Sequence, residues 1–211
     1  MTNIFKINDF SLFYKNHHDG GGTSFGQDFV QLLRSKYNSK KFNNCLDWCS
    51  GPGFIGLSLL VNDFCSNVSL MDSNNEVFDL TKKSLRGTRY KDFVKTFSLS
   101  KIKNLPSTEI FDLVVSNPPH FHQRVFWQSK VHQHNEKIFL DLNWEAHNEF
   151  FENIKSHLSD DGIILLQESQ WACDVETFED ILNKNGLTVK NYYPETVEHF
   201  YPVFYLEITH K

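Results

Sequence analysis

The stretch Cys45-Leu46-Asp47-Trp48-Cys49-Ser50-Gly51-Pro52-Gly53-Phe54-Ile55-Gly56 decides the reading of this chain. A short apolar run closes on an acid, a glycine turn follows, and an apolar helical pattern begins at Phe54 and Ile55. That order predicts a strand, a tight loop and a helix N-terminus, a junction that offers unpaired N–H groups and a positive dipole end to a ligand. Gly51 and Gly53 let the backbone bend sharply and let a ligand approach without meeting a Cβ. The letters also fit G-x-G-x-x-G, which taken alone is a weak sign of dinucleotide binding.

Outward from that stretch the pattern alternates. Strands are expected at about 44–47, 68–72, 93–97, 111–116, 163–167, 187–192 and 203–209. Helices are expected at about 27–37, 54–63, 75–85, 144–158 and 175–185. Alternation of this kind predicts an α/β fold, a single doubly wound and mostly parallel seven-stranded sheet. The run 111–116 is almost wholly apolar and is expected at the centre of the sheet. Residues 1–16 show no clear period, and His18-Asp19-Gly20-Gly21-Gly22-Thr23 is too rich in glycine for regular structure to be expected. The chain is read as one domain, 1–211, with an N-terminal arm of about 1–40.

Composition sets bounds on this picture. A chain of 211 residues with 40% hydrophobic and 15% aromatic content can bury one sizeable core. No apolar run reaches the roughly 18 residues of a membrane span. The N-terminus lacks the layout of a signal peptide. Cys45, Cys49, Cys65 and Cys173 show no metal spacing, which points to a reduced cytoplasmic compartment. The net charge of −5, with 21 Lys and Arg against 26 Asp and Glu, argues against an extended phosphate-binding surface.

Two carboxylates and one tetrapeptide narrow the chemistry. Asp72 ends the second strand about 20 residues past the glycine loop, where a ribose-binding carboxylate belongs. A charge ahead of the next helix is the alternative, and the spacing favours the ribose role. Asp47 stands where a pyrophosphate would be repelled and an ammonium or ribose accepted. After the central strand comes Asn117-Pro118-Pro119-His120, at the carboxyl end where open α/β sheets place their ligands.

Together these motifs resemble motifs I and IV of the class I S-adenosylmethionine-dependent methyltransferases, over nearly the whole chain from about Tyr14. The resemblance implies a Rossmann-like seven-stranded sheet with a reversed last strand, and S-adenosylmethionine as cofactor. It implies cofactor contacts from Asp47, Cys49, Gly51, Gly53, Asp72, Ser98 and Asn117, and from Gly22 and Thr23 in a loop closing over the cofactor. Cys49 stands where the family usually has glycine, and Ser98 where it often has an acid.

In that family an N-P-P-Y or N-P-P-F motif marks methylation of a planar nitrogen, either glutamine amide or base amine. The Asn117 oxygen and the Pro118 carbonyl would accept the two N–H groups and so present the nitrogen lone pair, with Pro119 stiffening the turn. His120 replaces the usual stacking aromatic; imidazole can stack, hydrogen-bond or titrate.

Tyr14, Phe25, Trp127 and Trp144 are candidates for a stacking pocket, although core packing would account for each. Phe121 opens a segment of about 20 residues that is expected to meet the substrate. His147, on an apolar helix face, is either a hydrogen-bonded core histidine or a substrate contact. The pairs His120/His122 and His132/His134 lack accompanying metal-ligand spacing, so no metal is expected.

The reading is an N-methyltransferase whose acceptor is a protein or peptide side chain. A base amino group in RNA or DNA, a small molecule, or a non-catalytic binding subunit are the alternatives. The release-factor glutamine methyltransferases that the sequence resembles carry an N-terminal helical domain for which no segment is expected within residues 1–211, which weighs against that exact identity.

Overall fold

The computed structural model describes residues 1–38, 40–123, 136–199 and 201–211. They form two compact units, Met1–Ser100 and Lys101–Lys211, taken here one at a time.

The first unit opens with strands β1 (Asn3–Ile7) and β2 (Phe10–Tyr14), paired as an antiparallel hairpin. Helix α1 then covers Gly22–Tyr37 and so begins five residues before the expected Gln27. The reason is a cap that glycine content conceals. The Asp19 carboxylate accepts the Gly21 N–H at 3.0 Å, the Thr23 N–H at 3.4 Å and the Thr23 hydroxyl at 2.9 Å. These bonds satisfy donors that a helix start leaves open.

Helix α2 (Phe54–Val61) has every residue from Phe54 to Leu60 buried, and α1 meets it backbone to backbone. A Cβ on Gly22 would lie 2.4 Å from the Phe54 ring, and one on Gly26 would lie 2.8 Å from the Phe54 carbonyl oxygen. Replacing a helix glycine with alanine ordinarily stabilises by up to about 1 kcal/mol. At Gly26 the obstacle is backbone and cannot swing aside, so Gly26→Ala should instead cost about 1–2 kcal/mol. Urea denaturation, with the exposed Gln27→Ala as control, checks the sign.

Strands β3 (Phe42–Trp48), β4 (Cys65–Asp72) and β5 (Val94–Ser98) pair in parallel, with α2 between the first two and α3 (Val77–Leu85) between the second two. The register sets Asp47 beside Leu70 and Asp72 beside Ser98, which gathers the strand ends on one edge.

In the second unit β6 (Phe111–Ser116) runs parallel to β7 (Leu158–Ser169). Strand β9 (Val203–His210) lies antiparallel to both β7 and β8 (Leu187–Pro194). Its helices are the single turn α4 (Glu136–Phe139), α5 (Glu145–Asn153) and α6 (Glu179–Lys184).

The helix expected at 144–158 is shorter. Trp144 precedes it with φ +58°, the Asn153 amide donates back to the Glu149 carbonyl at 2.7 Å, and a 3-10 turn follows. Such a side-chain bond competes with the helical ladder. Leu158 already belongs to β7. Asp161 and Gly162 fall at an irregularity inside β7, where the register passes from Phe111–Leu158 to Leu113–Ile163.

The strand order is β5-β4-β3-β6-β7-β9-β8, a mostly parallel seven-stranded sheet whose antiparallel member is β9. β6 is the fourth strand of seven, and Leu113, Val114 and Val115 on it are fully buried, as its apolar run requires. No helix among the described residues is long and apolar enough to cross a membrane.

Candidate active site

In the first unit the chain leaves β3 through Cys49 at φ +57°, turns through Gly51 at +52°, and enters α2 from Gly53 at +96°. Cys49 thus adopts the left-handed backbone that a glycine would reach without steric cost. A Cβ on Gly53 would lie 2.7 Å from a Leu70 methyl, so that position needs glycine for space as well as for φ.

Two carboxylates hold this loop. The Asp72 oxygens accept the Gly51 N–H and the Asn74 N–H, each at 2.8 Å. Burial raises the Asp72 pKa, and these two N–H groups pull it back. Asp72 is half-buried, so its oxygens keep outward lone pairs. Asp47 is fully buried and accepts the Gly56 N–H at 2.7 Å through Oδ2. Its Oδ1 has no hydrogen-bond partner among the described residues. Burial pushes its pKa up to about 8; the Gly56 N–H pulls down, and the Asp72 charge adds to the rise.

The glycine-rich segment comes up to the same loop. A Cβ on Gly51 would sit 3.4 Å from the His18 carbonyl oxygen. Gly22 and Thr23 lie in the first turn of α1, with Gly22 buried against Phe54 and the Thr23 hydroxyl committed to Asp19. Tyr14 stands edge-on to Phe54 at 5.0 Å and stays half-buried; Phe25 is core. Ser98 is exposed beside Asp72.

His18 was not foreseen. It is buried, and neither ring nitrogen has a hydrogen-bond partner among the described residues. Burial, then the His17 and Lys15 charges, lower its pKa. A single histidine before a glycine run carries no motif by which sequence could have flagged it.

In the second unit β6 delivers Asn117, half-buried, then buried Pro118, half-buried Pro119 and buried His120. The His120 ring is enclosed, which differs from an aromatic open to stack on a substrate. Its Nδ1 lies 3.3 Å from Glu168 Oε2, Tyr201 packs edge-on at 5.8 Å, and Nε2 has no hydrogen-bond partner among the described residues. Glu168 Oε1 is 2.9 Å from His147 Nε2, and His147 Nδ1 is 2.6 Å from Asp141 Oδ2.

Placing His147 at a substrate surface is therefore corrected. It is fully buried, bonded at both nitrogens and stacked on Phe178 at 5.0 Å. Although burial alone would lower its pKa, Glu168 and Asp141 raise it to about 9. Phe121 is corrected in the same way: only 1% exposed, it packs with Phe139, Trp171 and Ala172. Trp144 stays half-buried and stacks on His122 at 4.9 Å. Trp127, with Phe126, His132 and His134, lies outside the described residues. Glu168 and Asp141 were also missed, because a lone acid at a strand end or before a helix has no pattern of its own.

Residues 28–183 match the family model described as the methyltransferase small domain. The chain belongs to that family. Among curated relatives, the release factor glutamine methyltransferase of Borreliella burgdorferi is 22% identical over 151 residues, 70% of this chain and 51% of that protein. The chain thus spans about half the length of that relative. Among solved structures, ribosomal protein L11 methylase from Lactobacillus delbrueckii subsp. bulgaricus superposes with TM-score 0.60 at 15% identity, over 90% of this chain and 81% of that one. A protein described as a putative RNA methyltransferase from Pyrococcus horikoshii gives 0.61 at 16% identity, over 89% and 82%. At such identities the structures speak for the fold.

The family is that of S-adenosylmethionine-dependent class I methyltransferases, and S-adenosylmethionine is its cofactor. The first unit suits that molecule. The unpartnered Asp47 Oδ1 matches an ammonium, the outward Asp72 lone pairs match ribose hydroxyls, and the loop glycines leave room for it. A pH effect follows. Asp47 is protonated in the free protein below about pH 8, and a neighbouring ammonium favours the carboxylate. Binding should then release a proton, and affinity for S-adenosylhomocysteine should rise from pH 5.5 to 7. Calorimetry in two buffers of different ionisation enthalpy reads the proton, and Asp47→Asn should abolish both effects.

Proposed function

We propose that this methyltransferase methylates a planar amide or amino nitrogen, with a protein or peptide side chain as the leading acceptor. The observation that carries the proposal is Asn117-Pro118-Pro119 at the carboxyl end of the central strand β6. The bound cofactor supplies a sulfonium-activated methyl group. Asp47, Asp72, Gly51 and Gly53, with Cys49, Ser98, Gly22 and Thr23 around them, are the residues proposed to hold it. The Asn117 oxygen and the Pro118 carbonyl accept the N–H groups of the acceptor, and most of the rate comes from that orientation. Tyr14 and Trp144 are the remaining described candidates for contact with the acceptor.

The glutamine reading draws support from the release factor glutamine methyltransferase that the chain partly matches. We take residues 1–211 as one methyltransferase domain with an arm of about 1–40, acting in the cytoplasm. Purified protein with S-adenosylmethionine, offered release-factor peptides and mixed RNA, should add 14 mass units to a peptide glutamine.

Gel-shift binding at two salt concentrations tests the alternative. Tight nucleic-acid binding that falls by roughly 0.9 log units per phosphate contact per decade of salt would move the acceptor to a base amino group. Failure to bind S-adenosylhomocysteine would leave a non-catalytic subunit.

A further inference from the structure

The second unit buries two carboxylates and two imidazoles in one connected group: Asp141, His147, Glu168 and His120 are each no more than 4% exposed. Glu168 is surrounded by donors. His147 Nε2 is 2.9 Å from Oε1, while His120 Nδ1 at 3.3 Å and Cys173 Sγ at 3.7 Å meet Oε2. Asp141 accepts the Ala146 N–H at 2.8 Å and the His147 N–H at 3.1 Å, which fixes the start of α5, and it faces His147 Nδ1. A carboxylate has no proton to give, so each ring nitrogen aimed at one must carry its own. His147 is then an imidazolium between two acids, in line with its raised pKa. His120 has its proton on Nδ1, and in the neutral ring the lone pair is on Nε2.

That nitrogen is buried and has no hydrogen-bond partner among the described residues, and His120 follows directly on Asn117-Pro118-Pro119 in the chain. Buried polar atoms are rarely left so without a role. The charge balance has the same sense. Two carboxylates face one imidazolium, so the group carries one surplus negative charge beside a ring able to take a proton. The other groups around His120 do not supply that proton: burial and the Glu168 charge raise the pKa of both Cys173 and Tyr201.

Methylation of an amine or amide nitrogen creates a proton that must go somewhere. The Asn117 and Pro118 carbonyls can bind an N–H but cannot keep its proton, whereas imidazole can. We propose that His120 Nε2 receives the proton released by the methylated nitrogen, and that Glu168, held by His147 and Asp141, is the positioning residue that fixes His120 for this. The proposal rests on the planar-nitrogen reading above. In the step the nitrogen lone pair forms the N–C bond, the S–C bond breaks with its pair going to sulfur, and the N–H proton passes to Nε2. The resulting His120 imidazolium then faces the Glu168 carboxylate and cancels the surplus charge.

Two measurements test this. Long-range proton–nitrogen correlation spectra of the full-length wild-type protein should show His120 protonated at Nδ1 alone and His147 at both nitrogens near pH 7.5. Glu168→Gln should change the His120 pattern, because the amide can donate as well as accept. This arm needs no acceptor. It stands even if no acceptor is methylated by wild type, a result that would count against the planar-nitrogen reading instead. For turnover, His120→Asn keeps a donor toward Glu168 but lacks a basic nitrogen. It should bind S-adenosylhomocysteine within about twofold of wild type and lose about 10²–10⁴ in kcat. A wild-type His120 protonated at Nε2 would overturn the proposal, as would an Asn variant that keeps wild-type turnover.

Discussion

Asn117→Ala should lower kcat by at least about 10²-fold while affinity for S-adenosylhomocysteine stays within about twofold. The size follows from what the residue is proposed to do. A planar nitrogen shares its lone pair with a carbonyl or ring, and only a fixed geometry makes that pair available; small misplacement of a reacting group already costs about 10². Asn117 leaves the end of β6 half-buried, ahead of two prolines that restrict the turn. Asp47, Asp72 and the glycine loop, the proposed cofactor contacts, belong to the first unit, so their hydrogen bonds should survive the change. Calorimetry with S-adenosylhomocysteine and single-turnover methyl transfer measure the two quantities apart. Wild-type turnover in the alanine variant would remove the planar-nitrogen mechanism.

Asp72→Ala should do the reverse and act first on binding. The carboxylate is proposed to accept ribose hydroxyls, and loss of a charge-assisted acceptor costs about 1.5–3 kcal/mol, some 10- to 150-fold in Kd. The structure adds a second loss. Asp72 also accepts the Gly51 and Asn74 N–H groups, so its removal frees the glycine loop as well as the ribose. Asp72→Asn separates the two effects. Its amide oxygen can still take one loop N–H, so it should hold the loop better than alanine and bind cofactor at an intermediate level. If alanine and wild type bind S-adenosylhomocysteine equally, Asp72 holds the loop and does not read the ribose.

The fold class was legible because its signals are local and repetitive. The apolar runs at 68–72, 111–116 and 203–209, the glycine turn after Asp47 and the alternation between them are set by burial and backbone freedom, and strands formed at each. The run 111–116 became β6 to the residue, since a strand with so apolar a middle is covered on both faces. The places of Asp47, Asp72 and Asn117 at or next to strand ends could be read from sequence for a related reason: each strand's end is fixed by its own pattern.

What sequence hid was decided by side-chain hydrogen bonds that no apolar period reports. The start of α1 depends on Asp19 capping a run of glycines, and composition alone makes such a run look like a loop. The end of α5 depends on Asn153 bonding back to Glu149, against an apolar period that continued to Leu158. The surroundings of His120 lay furthest from view. From sequence it stood in an aromatic's place, free to stack. Only the packing of β7 and α5 sets Glu168, 48 positions away in the chain, against it and His147 against Glu168, and turns an open ring into a buried, hydrogen-bonded one. Strand and helix periods reach only nearest neighbours, whereas the meeting of two buried acids with two imidazoles is a property of the folded chain, where low dielectric makes each unpaired charge costly and each pairing specific.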